Sequence, residues 1–213
     1  MHYQGTLSIM LAIIVIIVSI HTLGATPAYM RIVQNQLITP GAPCRPVTLI
    51  WARESTGVGN VGLYVFPYLT QAVAKIANIS QLTLQGVNYP AWLAVGLSGG
   101  DPNDGKNMAN LTDYAASRCP NTQIVLGGYS QGAEVVRFAL RYTTAIRNIH
   151  AVVTFGDPYN GQPFAKINAS KTLVICHTTD GFCQGKWIFT PGHAGYGLDA
   201  TQAATFIVSK VTL

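Results

Sequence analysis

The chain has 213 residues, of which 49% are hydrophobic and 10% are charged, and its formal net charge at pH 7 is +5. This length suits one domain with a sizeable core, and the low charge content excludes a largely disordered chain. The Lys and Arg residues are scattered without a run, which argues against a nucleic-acid-binding protein.

The N-terminal 25 residues have the pattern of a secretory signal peptide. Ile, Val, Leu and Met dominate residues 7–20, and Gly24, Ala25 and Ala28 follow, so cleavage is predicted near Ala25. The apolar run is shorter than the roughly 20 residues that a membrane span needs. Because no Lys or Arg precedes the run, an uncleaved signal anchor is the alternative. Residues 26–43 then form a short leader, whose prolines discourage regular structure.

Strand and helix patterns alternate from residue 47 onward. Short apolar or β-branched runs predict strands over 47–52, 83–87, 124–128, 151–155 and 172–176. Helical spacing and helix formers predict helices over 63–76, 108–116, 133–146 and 200–211. This alternation is typical of a parallel sheet covered by helices on both faces. The sequence therefore predicts one α/β domain over residues 44–213, a three-layer sandwich around a mostly parallel five-stranded sheet.

The cysteines agree with export. They form an even set without a CxxC metal pair: Cys44, Cys119, Cys176 and Cys183. Four cysteines allow three pairings, and the last two are close enough in sequence to close a small loop. Sequons at Asn78, Asn110 and Asn168 give weak support for a eukaryotic secretory route and a glycoprotein.

The segment Gly128-Tyr129-Ser130-Gln131-Gly132 lies between a predicted strand and a predicted helix. This is the setting of the nucleophile elbow of α/β-hydrolases, a tight turn in which flanking glycines avoid Cβ clashes. The motif makes Ser130 the candidate nucleophile and the amide of Gln131 an oxyanion donor. A glycine-rich turn with an inert serine is the alternative.

A serine hydroxyl is a poor nucleophile until a base takes its proton. His193 is the candidate base because it lies in a glycine-containing loop just before the last predicted helix. His177, which follows a predicted strand beside a cysteine, is the competing base. His150 is expected to be a surface or edge residue.

The base needs a carboxylate to hold its tautomer, and Asp180 is the candidate because it lies in the loop between Cys176 and Cys183. The chain order Ser130, Asp180, His193 is that of the α/β-hydrolases. Asp157 is the runner-up acid, for which a turn-forming role is preferred. Asp199 is expected to cap the last helix.

Several motifs in order now resemble one family, the cutinases, which are small secreted serine esterases. The likeness runs from about residue 44 to 211, and its motifs occupy 51–56, 86–91, 119–122, 128–132, 154–158, 176–183 and 193–197. The resemblance implies bridges Cys44–Cys119 and Cys176–Cys183. It also implies that Ser55, through its hydroxyl and amide, completes the oxyanion hole with Gln131, and that no large lid covers the site.

One departure concerns the substrate. Many cutinases carry Gly before the oxyanion-hole serine, where this chain has Glu54, and the related acetylxylan esterases often carry Glu there. The end of the chain, from Gly195 through Lys210, also resembles those enzymes. An apolar collar beside the cleft would suit acyl chains, with ordinary core packing as the alternative; its candidates are Trp187, Ile188, Phe189, Trp92, Leu93, Val95 and Leu97.

The sequence thus predicts a secreted, monomeric serine esterase acting on cutin or a similar lipophilic polyester. No metal, cofactor or nucleic acid is implied, and no stable membrane association is expected after signal cleavage. Acetylxylan deacetylation on the same fold is the first alternative. A secreted surface-binding or elicitor protein, with catalysis secondary, is the alternative from another class.

Overall fold

The computed structural model describes residues 27–213, so the predicted signal peptide lies outside the described residues. The described strands are β1 (Val47–Ala52), β2 (Leu82–Gly86), β3 (Gln123–Tyr129), β4 (Ile149–Phe155) and β5 (Thr172–Ile175). The described α-helices are α1 (Phe66–Ile76), α2 (Leu93–Leu97), α3 (Pro102–Arg118), α4 (Gln131–Tyr142) and α5 (Ala200–Lys210).

The five strands form one sheet in the order β2-β1-β3-β4-β5, and every neighbouring pair is parallel. Helices α1 and α5 cover one face, and α3 and α4 cover the other. The predicted three-layer α/β fold is therefore confirmed, with a sheet that is wholly parallel.

Each face of the sheet has its own apolar core. Along β1, Val47, Leu49 and Trp51 pack against the α1 and α5 side, whereas Ile50 and Ala52 pack against the α3 and α4 side. Because successive side chains point to opposite faces, a strand buried on both sides reads as a continuous apolar run. That is the pattern from which the strands were predicted.

The largest differences from the predicted helix boundaries are in α3 and α4. Helix α3 begins at Pro102, six residues earlier than predicted, where the Asp101 carboxylate accepts the amide of Asn103 at 2.8 Å. An N-cap Asp followed by Pro in the first turn is a favourable helix start. Helix α4 ends at Tyr142, before the predicted Ile146, because the Asp113 carboxylate accepts the amides of Thr144 and Ala145.

The leader is bound to the domain along the edge strand. The amide of Gln36 donates to Leu84 O at 3.1 Å, and the amide of Gly86 donates to Gln34 O at 2.8 Å. Leu37 is buried in the core on the α3 and α4 side. These contacts cover the otherwise unpaired edge of β2.

Both disulfides implied by the resemblance are present, Cys44–Cys119 and Cys176–Cys183. The first joins the segments that precede β1 and β3, and the second closes a loop after β5. In residues 27–213, every helix is too short or too polar to cross a bilayer.

Candidate active site

The carboxyl ends of four strands meet at one edge of the sheet. In register, Ala52 lies beside Gly128, Tyr129 lies beside Phe155, and Phe155 lies beside Ile175. The chain moves outward from β1 to β2 and then returns to β3, so the topology switches direction between β1 and β3. Ligands of open parallel sheets bind at such a switch point, and Ser55 and Ser130 follow these two strands.

Ser130 occupies a strained turn between β3 and α4, with φ of 56° and ψ of −120°. A Cβ atom at Gly128 would lie 2.3 Å from Gly132 O, and one at Gly132 would lie 2.1 Å from Ala52 O. Both glycines are therefore required by close backbone approach. The turn is fixed to β4 because the Ser130 amide donates to Phe155 O at 2.9 Å.

The ring of His193 lies between Ser130 and Asp180. Its Nε2 is 2.9 Å from Ser130 Oγ, and its Nδ1 is 2.8 Å from Asp180 Oδ2. A carboxylate only accepts, so in neutral His193 the proton sits on Nδ1 and Nε2 is free to accept from the Ser130 hydroxyl. All three side chains are buried. This tautomer is the one that a histidine base requires.

Several donors converge on Asp180. Oδ1 accepts the amide of Phe182 at 2.9 Å, and Oδ2 accepts the hydroxyl of Tyr196 at 2.6 Å. Burial disfavours the charged carboxylate, but hydrogen bonds from His193 and Tyr196 outweigh burial and lower the pKa of Asp180 below its ordinary value. Asp180 is therefore an anion at neutral pH.

Ser55 approaches the site from the end of β1. Its hydroxyl donates to Gln131 Oε1 at 2.7 Å. The amide of Gln131 belongs to the first residue of α4, where helix N–H groups lack intrahelical acceptors. One candidate oxyanion donor thus lies on the loop after β1, and the other lies at the start of α4.

Glu54, the departure noted above, is buried behind Ser55. Its carboxylate accepts the amide of Leu63 at 3.4 Å, and burial raises its pKa. A Cβ at Gly62 would lie 2.3 Å from Glu54 Oε2, so glycine makes room for this acid. Glu54 therefore connects the segment that carries Ser55 to Leu63, nine residues later.

The competing residues lie elsewhere. His150 is at the start of β4, at the opposite end of the sheet from Ser130. Asp157 accepts hydrogen bonds from Arg137 Nε, from Thr154 Oγ1 and from the backbone amide of Tyr159, each at 2.9 Å, so its role is structural.

His177 and Asp199 have a relationship that the sequence did not indicate. The ring of His177 forms hydrogen bonds with Gly192 O and Asp199 Oδ2, whereas the ring bonded to Ser130 is that of His193. The expectation that Asp199 caps the last helix was wrong. Asp199 stands at the N-cap position, but its side chain makes no cap hydrogen bond because it pairs with His177.

Two adjoining pockets share the ring of His193, and Ser130 lines one of them. One, of about 240 Å³, lies on the Ser55 and Leu93 side, and the other, of about 300 Å³, lies on the Thr190, Ala194 and Gly195 side. Tyr64, Tyr129, Phe189 and His193 line both.

Most of the predicted collar is exposed, and two of its residues, Leu93 and Phe189, line these pockets. Trp92 is 67% exposed and Phe189 59%, and Ile188, Leu93 and Leu97 are also exposed. Trp187 and Val95 are half-buried. Residues 93–97 of this collar form the short helix α2. The collar is thus an apolar rim, and core packing does not account for it.

Comparisons with known proteins agree with this geometry. The family model described as Cutinase matches residues 43–211. The cutinase of Hypocrea jecorina is 44% identical over 176 residues, which cover 82% of this chain and 71% of the relative. The structure of Trichoderma reesei cutinase in complex with a C11Y4 phosphonate inhibitor is 40% identical, with a TM-score of 0.78, and covers 86% of this chain and 82% of the other. The catalytic core domain of acetyl xylan esterase from Trichoderma reesei is 26% identical, with a TM-score of 0.62, and covers 79% of this chain and 100% of the other.

Proposed function

The chain belongs to the cutinase family, and on that premise we propose that it is a secreted serine esterase that hydrolyses cutin or a similar lipophilic polyester. The observation that carries the proposal is that one buried ring, that of His193, lies within hydrogen-bond distance of both Ser130 and Asp180. Two disulfides are consistent with an oxidising, extracellular setting.

The reaction is an acyl transfer in two steps. Ser130 Oγ attacks the ester carbonyl while His193 Nε2 takes the hydroxyl proton. The imidazolium so formed is stabilised by Asp180. His193 then gives the proton to the leaving alkoxide, which departs as an alcohol. Water then attacks the acyl-enzyme carbonyl while His193 takes its proton. The carboxylic acid is released and Ser130 is restored.

The oxyanion of each tetrahedral intermediate is received by the amide of Gln131 and by Ser55. In comparable sites one such donor contributes about 3–4 kcal/mol. The Ser55 hydroxyl donates to Gln131 Oε1, while Gln131 Nε2 is buried without a partner among the described residues. If the amide turned by 180°, Nε2 would donate to Ser55 Oγ and leave the hydroxyl proton free for the oxyanion.

The two pockets support a lipophilic ester. His193 protonates the leaving alcohol, so the pocket of about 300 Å³ on its outer side would receive the alcohol portion. Tyr64 and Phe189 line that pocket as well as the one near Ser55. Apolar surface on both sides of the scissile bond fits a polyester whose acid and alcohol portions are both hydrocarbon chains.

Acetylxylan deacetylation is the second candidate. Glu54 favours it, because the related acetylxylan esterases often carry Glu before the oxyanion-hole serine. The size of the pocket beside Ser55 argues against this candidate, because an acetyl group would not fill its volume of about 240 Å³. The likeness to the acetyl xylan esterase catalytic core spans 79% of this chain. If the substrate were acetylated xylan, the exposed apolar rim would have no acyl chain to contact.

Initial rates on p-nitrophenyl esters from acetate to palmitate test the proposal, with Ser130→Ala as the control. We expect a maximum at butyrate or longer, and loss of nearly all turnover in the variant. Activity confined to acetate would favour acetylxylan, and retained activity in Ser130→Ala would exclude the assigned nucleophile. A folded wild-type protein that fails to react with a serine-directed phosphonate would revive the surface-binding alternative.

A further inference from the structure

A second histidine–carboxylate pair lies directly behind the candidate triad. The ring of His177 has Nδ1 2.8 Å from Gly192 O and Nε2 2.8 Å from Asp199 Oδ2. It stacks on the ring of Tyr196, with centroids 4.0 Å apart and planes 14° from parallel. These contacts fix the position of the ring from three sides.

Both hydrogen-bond partners of the ring are groups that only accept. A backbone carbonyl and a carboxylate have no proton to donate, and a neutral imidazole has a single N–H. In a neutral His177 one ring nitrogen has no proton. That nitrogen and the oxygen 2.8 Å from it would then be two acceptors with no hydrogen between them. Only the imidazolium, with an N–H on both nitrogens, satisfies the two contacts together.

The surroundings of the ring favour its charged form. Burial lowers the pKa of His177, but hydrogen bonds to Asp199 and Gly192 and the charges of Asp199 and Asp180 outweigh it, so the pKa lies above its ordinary value of 6.5. The titratable groups facing the ring are Asp199 before α5, Tyr196 beneath the ring, and Asp180 in the disulfide loop.

The two contacts bracket the segment that carries the base. Gly192 immediately precedes His193, and Asp199 ends the turn Tyr196–Asp199. Between them, His193 and Tyr196 both reach Asp180 Oδ2, at 2.8 and 2.6 Å. The backbone amide of His177 also donates to the Tyr196 hydroxyl at 3.0 Å.

We propose that His177 is a positioning residue for the reaction proposed above: as an imidazolium it joins Gly192 to Asp199 and holds residues 192–199 in the arrangement that aligns His193 between Ser130 and Asp180. The proposal rests on the proposed esterase function for its kinetic consequence. Its protonation state can be measured without that function.

Nitrogen-15 NMR of the imidazole rings tests the protonation state in the intact wild-type protein. At pH 6.5, the ordinary pKa of an imidazole, we expect most of the His177 rings to carry a proton on both nitrogens. His150, half-buried at the far end of the sheet, serves as the internal reference. A His177 ring with one protonated nitrogen at this pH would overturn the proposal, whatever the enzymatic activity proves to be.

Kinetics on a soluble p-nitrophenyl ester test the positioning role. His177→Phe keeps an aromatic ring against Tyr196 but loses both hydrogen bonds. We expect kcat to fall about tenfold while KM changes less than about twofold, because a base displaced by a fraction of an ångström is less effective on a bound substrate. His150→Phe is the matched control and should retain wild-type kcat.

The shape of the pH profile separates positioning from a general loss of folding. Wild-type kcat should decline at alkaline pH as His177 loses its proton. His177→Arg keeps two donors that stay charged, so it should retain more activity than His177→Phe and lack the decline.

Asp199→Asn gives a second, milder variant. The Asn amide can donate to Nε2 of a neutral ring, so both contacts persist without the charge. We expect near wild-type kcat, no alkaline decline, and loss of the second His177 ring proton at a lower pH than in the wild type. Wild-type kcat and pH profile in His177→Phe would overturn the positioning role. An inactive wild-type protein would overturn the proposed function and the positioning role together, and the NMR result would still decide the charge.

Discussion

The hydroxyl of Tyr196 donates to Asp180 Oδ2 at 2.6 Å, the same oxygen that His193 Nδ1 approaches at 2.8 Å. Two donors therefore share one carboxylate oxygen, and the amide of Phe182 occupies the other oxygen at 2.9 Å. This arrangement holds Asp180 ionised and fixes its plane, so that its charge faces the ring of His193. Tyr196 thus belongs to the support of the triad.

Tyr196→Phe removes one donor from Asp180 and the acceptor of the His177 amide. We expect kcat to fall about three- to tenfold, and the free energy of unfolding at pH 7 to drop by about 1.5–3 kcal/mol, as for hydrogen bonds to charged groups. Denaturant unfolding and initial rates measure the two effects. Tyr68→Phe, at an exposed tyrosine, is the control and should change neither.

The effect of Tyr196→Phe on stability should depend on pH. The pKa of Asp180 is lowered in the folded protein, so its stabilisation is present above the unfolded pKa of about 3.9 and is lost as pH falls through the folded value. The stability difference between wild type and Tyr196→Phe should therefore be full at pH 7 and shrink toward pH 3. A difference that stays constant would show that the hydroxyl does not act on an ionised Asp180.

The two disulfides should separate stability from catalysis. They bridge 75 and 7 positions of sequence, for which chain entropy suggests about 4.5 and about 2.4 kcal/mol of stabilisation. Replacing Cys44 and Cys119 by Ser should cost more stability but leave kcat within about twofold, because that bridge lies at the far end of the sheet. Replacing Cys176 and Cys183 should cost less stability but lower kcat about tenfold or more.

Each disulfide variant is the matched control for the other, because each loses one bridge and keeps the second. Unfolding in denaturant and initial rates on a soluble ester are measured on the same preparations. Equal losses of kcat in the two variants would mean that the short bridge does not hold Asp180 in place.

The buried Glu134 should make the protein less stable as pH rises, whereas the stabilisation by Asp180 is lost as pH falls. It lies one turn after Ser130 and is fully buried, and neither carboxyl oxygen has a hydrogen-bond partner among the described residues. Burial, and then the charge of Asp157, raises its pKa to about 9 from an ordinary 4.5. The folded protein therefore binds the extra proton between these values, and stability falls as pH rises through that window.

Glu134→Gln is neutral in both the folded and unfolded chain, so this slope should disappear. Relative to wild type, the variant should gain stability from pH 5 to pH 8 with a limiting slope of about 1.4 kcal/mol per pH unit. Denaturant unfolding at several pH values gives the slope, with pH 5 as the internal reference. A stability difference independent of pH would mean that Glu134 is ionised in the folded protein.

Ser55→Ala tests the oxyanion donor that reaches Gln131. In comparable sites the loss of one donor lowers kcat about 100- to 1000-fold. We expect a decrease of that order on every ester, with little change in KM. Ser98→Ala removes an exposed hydroxyl on the neighbouring segment and should leave kcat unchanged. A loss confined to long-chain esters would instead indicate a role in acyl binding.

Sequence patterns were most informative where chemistry and geometry coincide. The residues Gly128 to Gly132 predicted the strained turn at Ser130 because the backbone approaches both glycines too closely for any Cβ. The continuous apolar runs predicted the strands because the sheet is buried on both faces. Both signals are local, so no tertiary information was needed to see them.

Other features depended on partners distant in sequence. Asp199 has the position of a helix cap, but it pairs with His177, 22 residues earlier. His177 was considered only as a rival base, because nothing near it in sequence reveals that its ring faces Gly192 and Asp199. The start of α3 was missed because Gly105 and Asn103 weaken the helical pattern, although Asp101 followed by Pro102 was a usable start signal.

The most direct test of the central claim is product analysis after incubation of the wild-type protein and Ser130→Ala, in parallel, with purified cutin and with acetylated xylan. The proposed function predicts release of hydroxy fatty acids from cutin by the wild-type protein, none by Ser130→Ala, and little acetate from xylan. Release of acetate from xylan with no hydroxy fatty acid from cutin, or equal release by Ser130→Ala, would contradict it.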